Sequence, residues 1–283
     1  LRNSGFEFDL NVKLIQKKNW YWDVSVNGYT YANKMLNLPD EYKVSGMPNG
    51  NQRIYEGKDI YRWEMRQFAG LDEKGNSLWY MDQDILDDAG NVVGVEKVTT
   101  DDATKATQYL LEKSALPDFT GGLNTTLRWK SLDLTIMTNF QFGGYGYDYD
   151  FSAFSSANFP MNRLKDYADA WNPETGKGSA PIWNTNDSNI NASSDRFLIS
   201  KTYFNLRNIT LGYTFPANWM SKIGIKSVRV YFACDNVFFA SKRKGYDPRT
   251  SMGGQGATVA LNSVDGTYYS PIRTTSVGLN INF

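Results

Sequence analysis

Apolar and polar residues alternate along most of the chain, the period-two signature of strands with two unlike faces. In the first run Phe6, Phe8, Leu10, Val12 and Leu14 share one face, and Glu7, Asp9, Asn11 and Lys13 share the other. Trp20, Trp22, Val24 and Val26 then oppose Tyr21, Asp23, Ser25 and Asn27. Residues 119–130 set Phe119, Leu123, Leu127 and Trp129 against Asn124, Thr126, Arg128 and Lys130. Residues 131–142 set Leu132, Leu134, Ile136, Phe140 and Phe142 against Asp133, Thr135, Asn139 and Gln141. Further runs carry Ile209, Leu211, Tyr213 and Phe215, then Val228, Val230 and Phe232, and finally Thr275, Val277, Leu279, Ile281 and Phe283. Weaker runs near Arg53–Tyr55 and Tyr61–Phe68 raise the expected strand count to nine. Helical periodicity is scarce, and Met161–Trp171 is the best short candidate.

Run length decides what kind of sheet this is. Several runs reach ten or more residues, whereas strands of soluble sheets average about 5–6 and a tilted membrane strand needs about 9–11. Short connections fall near Lys17-Lys18-Asn19, Gly57-Lys58, Lys130-Ser131 and Pro216–Gly224. Long ones fall at about 33–52, 70–118, 143–201 and 241–270. In an up-and-down meander all short turns then lie on one rim and all long loops on the other, the asymmetry of an outer-membrane barrel. The polar faces carry Asp, Glu, Asn, Lys and Arg, which suits a wet lumen, whereas a small soluble barrel fills its interior with apolar side chains. The expected fold is therefore all-β: antiparallel strands from a large transmembrane β-barrel with long extracellular loops. A soluble extracellular carbohydrate-binding β-sheet module, its polar faces simply solvated, is the alternative.

Composition supports this and excludes much else. Tyr, Phe and Trp make up 15% of the 283 residues, and such aromatics gather where a membrane protein meets the interface. Mean hydropathy is −0.49, a value that a barrel exposing only every second residue to lipid shares with soluble proteins. There is no histidine and only Cys234, so Ser-His-Asp and Cys-His nucleophiles, intrachain disulfides and cysteine zinc sites are excluded. Thirty basic and thirty acidic residues leave no net charge, which argues against nucleic acid as a partner. Leu1–Gly5 carries no signal-peptide pattern and runs straight into a strand, as in a chain that starts within something larger.

The last third carries specific motifs. Residues 196–216 read RFLISKTYFNLRNITLGYTFP, 228–238 read VRVYFACDNVF, 244–249 read KGYDPR, and the chain finishes YYSPIRTTSVGLNINF. With NSGFEFDLNV at 3–12, EGKDIYRW at 56–63, FAGLDEKGN at 68–76 and LPDFTGGLNTTLRWKSLDL at 116–134, these resemble the C-terminal end of SusC/RagA-like TonB-dependent transporters of Bacteroidetes-type outer membranes. The resemblance implies that residues 1–283 form the C-terminal segment of a plugged barrel of about 22 strands, the plug and the first strands lying elsewhere. It implies import of oligosaccharides or peptides across a Gram-negative outer membrane, with a SusD-like surface lipoprotein over the loops. Energy would come from the TonB complex through the missing N-terminal part. Phe283 resembles the C-terminal aromatic signal for membrane insertion.

No motif supports turnover, so neither an enzyme nor a cofactor is expected. Asp87-Asp88 and Asp101-Asp102 are sequence neighbours that point to opposite sides of an extended chain and would not flank a glycosidic bond. Asp82, Asp84, Asp87 and Asp88, followed by Gly90, offer oxygen ligands of the kind calcium takes, but without the full Asp-x-Asn-x-Asp-Gly spacing a solvated acidic loop is the plainer reading. Cys234 sits on an apolar parity and reads as a small hydrophobe. Lys242-Arg243-Lys244 suits either an anionic lipopolysaccharide or plain solvent. Ligand-binding candidates lie in the loops: Tyr145, Tyr147 and Asp148 in FGGYGYDYDF, and Trp183, Asn184 and Asn186, where rings stack on sugars and amides bond hydroxyls. Loop-on-loop packing or an aromatic girdle is the plainer account of the tyrosines.

Overall fold

The computed structural model describes residues 1–155, 165–183, 189–190, 192–243 and 271–283. Its frame is one antiparallel seven-stranded sheet built from β1 (Arg2–Lys17), β2 (Trp20–Lys34), β10 (Phe119–Trp129), β11 (Leu132–Phe142), β14 (Tyr203–Thr214), β15 (Ser227–Ser241) and β16 (Thr274–Asn282), paired in that order. Each strand pairs with the next along the wall, so the sheet is a meander interrupted by excursions. The turns β1–β2, β10–β11 and β14–β15 are short and share one rim; residues 35–118, 143–202 and 242–273 leave from the other. Lys130 closes the β10–β11 turn in the left-handed region at φ 53°.

The seven strong alternating runs are the seven wall strands. The two weaker ones are corrected: Arg53–Tyr55 and Tyr61–Phe68 supply β4 (Gln52–Ile54) and β5 (Arg62–Arg66), which belong to a smaller sheet with β3 (Met47–Asn49) and β9 (Gln108–Ser114). Gly57-Lys58 therefore lies inside one long excursion rather than between wall strands. The reason is burial on both faces: Trp63, Glu64 and Met65 are all buried, so β5 has no exposed face to lay in a wall. The same excursion holds β6 (Phe68–Leu71), β7 (Ser77–Leu86) and β8 (Val92–Thr100), a three-stranded sheet. β12 (Tyr145–Tyr147) and β13 (Leu198–Ser200) pair within the second excursion. Of the helical candidate Met161–Trp171, only the part from residue 165 is described, and it forms a 3-10 turn over Lys165–Asp169. The KGYDPR motif lies outside the described residues.

Register sets which side chains share a face, and it departs from simple alternation at bulges in β1, β14 and β15. A bulge after Lys13 leaves Leu14 unpaired and brings Ile15 opposite Trp22, so Ile15 continues the apolar face that Val12 belongs to. That face stays largely exposed: Leu10, Leu211, Phe232, Val277 and Leu279 are all open. Phe8, Phe119, Phe140 and Phe142 form a ring ladder with centroids 6.4, 6.0 and 5.6 Å apart near the loop-bearing rim. Gly28 lies beneath this ladder, and a Cβ there would overlap the Phe119 ring. Trp20 and Trp129 pair at 5.8 Å, and Tyr213 and Phe215 at 5.2 Å, on the short-turn rim. From Phe119 to Trp129 a strand rising about 3.4 Å per residue and tilted about 40° spans about 25 Å of height, the apolar band of a membrane barrel.

Polar atoms on the apolar face are satisfied internally. Trp22 Nε1 donates to Thr125 Oγ1 at 2.9 Å, Thr125 Oγ1 donates to the Asp23 carbonyl at 2.8 Å, and Thr138 Oγ1 donates to the Leu123 carbonyl at 2.8 Å. Hydrocarbon demands this, because it offers no water to replace a lost partner. Ile136→Arg, at mid-strand on the apolar face, is expected to destabilise the full-length protein in phospholipid vesicles by about 2–4 kcal/mol. Thr135→Arg, one residue away on the polar face, is expected to cost far less. Urea titration of both variants in vesicles checks the contrast, and equal losses would overturn the facial assignment.

Candidate functional site: the polar sheet face and the loop cap

The polar face carries its chemistry in cross-strand rows. Nearest the short turns, Gln16, Tyr21, Arg128, Asp133, Gly212, Tyr231 and Gly278 stand opposite one another on successive strands. Arg229 donates twice to Asp133, Nε to Oδ1 at 3.0 Å and Nη2 to Oδ2 at 2.5 Å, and its guanidinium lies 5.1 Å from the Tyr231 ring. This two-bond geometry is the strong form of an Arg–carboxylate pair. Gly212 makes room for it, since a Cβ there would overlap both partners. Gly278 likewise lies under the Tyr231 ring. Arg128 stacks on Tyr21 at 4.7 Å, while Tyr21 Oη donates to Asp23 at 2.9 Å.

Amides dominate the rows closer to the loops. Asn11, Ser25, Asn124, Met137, Asn208 and Asp235 are in register, followed by Asp9, Asn27, Gly122, Asn139 and Asn205. Asn208 Nδ2 donates to Asp235 at 2.8 Å, and Thr210 Oγ1 donates to Asn208 Oδ1 at 2.9 Å. Asn205 is 1% exposed, and the Oδ1 atoms of Asn139 and Asn205 accept no hydrogen bond within the described chain. Such a face offers amide donors and acceptors that pair with hydroxyls or peptide groups as readily as with one another. Asn11, Asn27, Asn124, Asn139 and Asn208 were visible in the sequence as polar-face residues; Asn205 shares the parity of Ile209 and reaches this face only through the bulge at Arg207, and the alignment across strands needed the register.

The long excursions pack on one another into a cap over the same rim. Trp63 and Met65 from β5, Leu111 and Ala115 from the 35–118 excursion, and Tyr147, Phe197 and Leu198 from the 143–202 excursion form its main core. Trp63 Nε1 donates to the Tyr145 carbonyl at 3.2 Å. The loop-derived candidates now separate. Tyr147 is 3% exposed, its hydroxyl donating to Ser152 at 3.2 Å. Asp148 caps the short helix α1 (Tyr149–Phe154) by accepting from the Phe151 N–H at 3.0 Å. It also accepts from Arg243, Nε to Oδ2 at 2.5 Å and Nη2 to Oδ1 at 2.6 Å, with both side chains buried. Tyr145 is half-buried beside Lys113. Trp183 is exposed, and Asn184 and Asn186 lie outside the described residues. The cluster thus places Tyr147 and Asp148 in packing and an interloop tie, and Arg243, from the basic triplet, is part of that tie.

The acidic run is distributed along a hairpin. Asp87 Oδ1 accepts from the Ala89 and Asn91 N–H groups at 2.9 and 2.8 Å, while Asp82 accepts from Tyr109 Oη at 2.6 Å. No group of three or more acidic, cysteine or histidine side chains is placed to hold a metal ion among the described residues. Cys234 faces the apolar side opposite Ile209 and is buried.

Lys201 is a buried cation, 7% exposed, whose Nζ donates to the Ala115 carbonyl at 3.1 Å. Burial pulls its pKa down from 10.5 to about 8.

No family model matches the chain. Over its whole length it is 25% identical across 304 residues to the TonB-dependent receptor P3 of Formosa agariphila, and 26% identical across 290 residues to the TonB-dependent receptor SusC of Bacteroides thetaiotaomicron. These matches take in 29% and 26% of those receptors, so the chain spans less than a third of the curated relatives' length. The RagAB peptide transporter structure superposes on 99% of this chain and 29% of its own, with a TM-score of 0.75 at 24% identity, a likeness of fold. The chain is SusC/RagA-like, with the all-β antiparallel architecture of TonB-dependent receptors. Its relatives are named as receptors and transporters, which groups it at family level with non-enzymes.

Two outcomes follow for the cap. Asp148→Ala leaves Arg243 buried without its carboxylate, and a broken buried pair costs about 3–5 kcal/mol. Hydrogen exchange should show lost protection at 143–155 and over 239–243, the loop end of β15 and the residues after it, with the rest of the wall unchanged. For Lys201, the unfolded amine binds its proton up to about pH 10.5 while the folded one releases it near 8, so the unfolded state holds more protons in between. Stability therefore rises with pH across that window. Lys201→Met is expected to raise the melting temperature in detergent at pH 7 and to flatten its rise towards pH 10.

Proposed function

We propose that this chain supplies wall strands and extracellular loops to an outer-membrane TonB-dependent nutrient importer. The observation that carries the reading is the division of the seven-stranded sheet into an exposed apolar face about one hydrocarbon layer tall and a polar face. The soluble carbohydrate-binding module would have to leave that apolar face in water. β1 and β16 each present an unpaired edge, which lipid does not tolerate. We place the neighbouring strands, and the plug that fills the lumen, in the rest of a polypeptide more than three times this length, as the 29% coverage suggests. Residues 1–283 are then a barrel segment of it, and Phe283 keeps the apolar parity of Val277, Leu279 and Ile281.

In this reading the amide rows of the polar face line the route that cargo takes past the plug. Asn27, Asn124 and Asn208 bond hydroxyls or peptide groups without holding an ion, so the cargo is an oligosaccharide or a peptide. The cap forms part of the outer chamber, where exposed Trp183 offers a ring to a sugar or apolar side chain and Tyr145 a second; Asn184 and Asn186, outside the described residues, stay ligand candidates by their chemistry alone. A SusD-like surface lipoprotein closes over the loops, and the TonB complex acts through the part of the protein outside this chain. Neither nucleic acid nor a cofactor has a role.

The test is uptake by cells carrying the full-length protein or a deletion, using fluorescent oligosaccharides and peptides at limiting concentration. TonB-dependent accumulation of one class, lost on deletion, is expected. Equal uptake by the deletion strain, or recovery of the protein in the soluble fraction, would overturn the reading.

A further inference from the structure

The hairpin of β7 and β8 extends beyond everything that packs against it. Its base is well anchored. Trp79 is fully buried against Ala103 and Ala106, and Lys97 Nζ lies 4.3 and 4.4 Å from the Tyr80 and Tyr109 rings while donating to Gln67 at 2.6 Å. Beyond that base every residue from Asp82 to Glu96 except Gly94 is exposed. The distal ribbon is two-stranded, since β6 pairs only with residues 77–79 of β7 and the outer edge of β8 is open. An isolated two-stranded ribbon is marginal in water, yet this one places Ile85, Leu86, Val92, Val93 and Val95 in solvent. Its tip is nevertheless fixed: Asp87 N–H donates to the Asn91 carbonyl at 2.9 Å and the Asp87 carboxylate collects the turn's own N–H groups. An exposed apolar ribbon with a hydrogen-bonded tip is a surface suited to being covered.

Charge selects what covers it. Asp82, Asp84, Asp87, Asp88 and Glu96 are interspersed with these apolar residues, Asp84 opposite Val95 and Asp82 opposite Lys97, the single cation in that stretch. Five carboxylates repel an anionic lipid surface, and they repel the same arm on a second copy. They favour a protein socket that is apolar at its centre and rimmed by lysine or arginine. We propose that the β7–β8 ribbon is a docking arm, and that its occupant is such a basic-rimmed apolar socket on the surface lipoprotein that partners this chain. This rests on the importer reading given above and adds to it the contact element and the partner's chemistry. The apolar tip supplies the buried contact, and the acidic collar sets the encounter rate and orientation.

The experiment uses the full-length protein in its native outer membrane, with a benzophenone amino acid at Val93 or, as control, at lipid-facing Val277. The lipoprotein retained on the affinity-purified importer is measured alongside. Val93 should cross-link to the lipoprotein and Val277 should not. Asp84→Lys/Asp88→Lys, which spares the turn-holding Asp87, should cut retention at least tenfold, as should Val93→Asp, while the importer's abundance and heat-modifiability stay unchanged. High salt should weaken the wild-type complex and leave the charge-reversed one little altered. Lipoprotein retained equally by wild type and variants, or a Val93 cross-link to a second copy or to lipid, would overturn the docking arm and leave the importer reading standing. Absence of any lipoprotein from the wild-type complex would overturn both.

Discussion

In hydrocarbon an unpaired peptide group has nothing to bond to, so a membrane wall must be continuous in its hydrogen bonding before it can be anything else. Seven strands here meet that demand through six consecutive antiparallel ladders, three of them with a bulge, and the remaining features follow from it. Continuity fixes register, and register fixes which residues share a face. Where register slips, at Leu14 and near Arg207 and Asn236, a bulge absorbs the extra residue and the apolar side stays apolar. Even the indole of Trp22 and the hydroxyls of Thr125 and Thr138 find partners within the sheet, so the apolar face exposes rings and aliphatic chains with their polar atoms tied down.

Much of this was legible in the amino-acid order. Alternation sustained along each run locates all seven wall strands, because a two-faced wall constrains nearly every position. Legibility fails where that constraint lapses. β5 is buried on both sides, so its alternation carries no facial meaning, and it reads as wall when it is cap. β7 and β8 went unseen although Asp87–Asn91 is a strong turn signal: an exposed ribbon needs no regular pattern of burial. Leu14 fits the alternation and still leaves the face, since a bulge is a property of two paired strands and one strand's sequence does not contain it.

The loop candidates teach a related point. Tyr147 and Asp148 have the composition of a sugar site, and their neighbours draw them into the cap's interior. Asp148 joins two excursions through Arg243, a residue nearly a hundred positions away that composition had assigned to the surface. The row of Tyr21, Arg128, Asp133 and Tyr231, by contrast, was present residue by residue and emerges as a unit only once four ladders are known. Gly212 shows the cost of such packing: the Asp133–Arg229 pair occupies the space any side chain there would need.

The excursion over residues 35–118 begins and ends on strands that are already partners, with Tyr29 opposite Thr120 just below its mouth. Its two ends are therefore held together by the wall, with its own bonds from Met35 to Lys58 and from Tyr61 to Ala115 added to that. Everything between them, from the buried sheet to the acidic ribbon, hangs on the sheet as a closed appendage whose content the wall does not sense. Such an attachment lets a lineage lengthen, shorten or exchange its outer equipment while the strands beneath keep the same register, separating the rate at which recognition changes from the rate at which the barrel can.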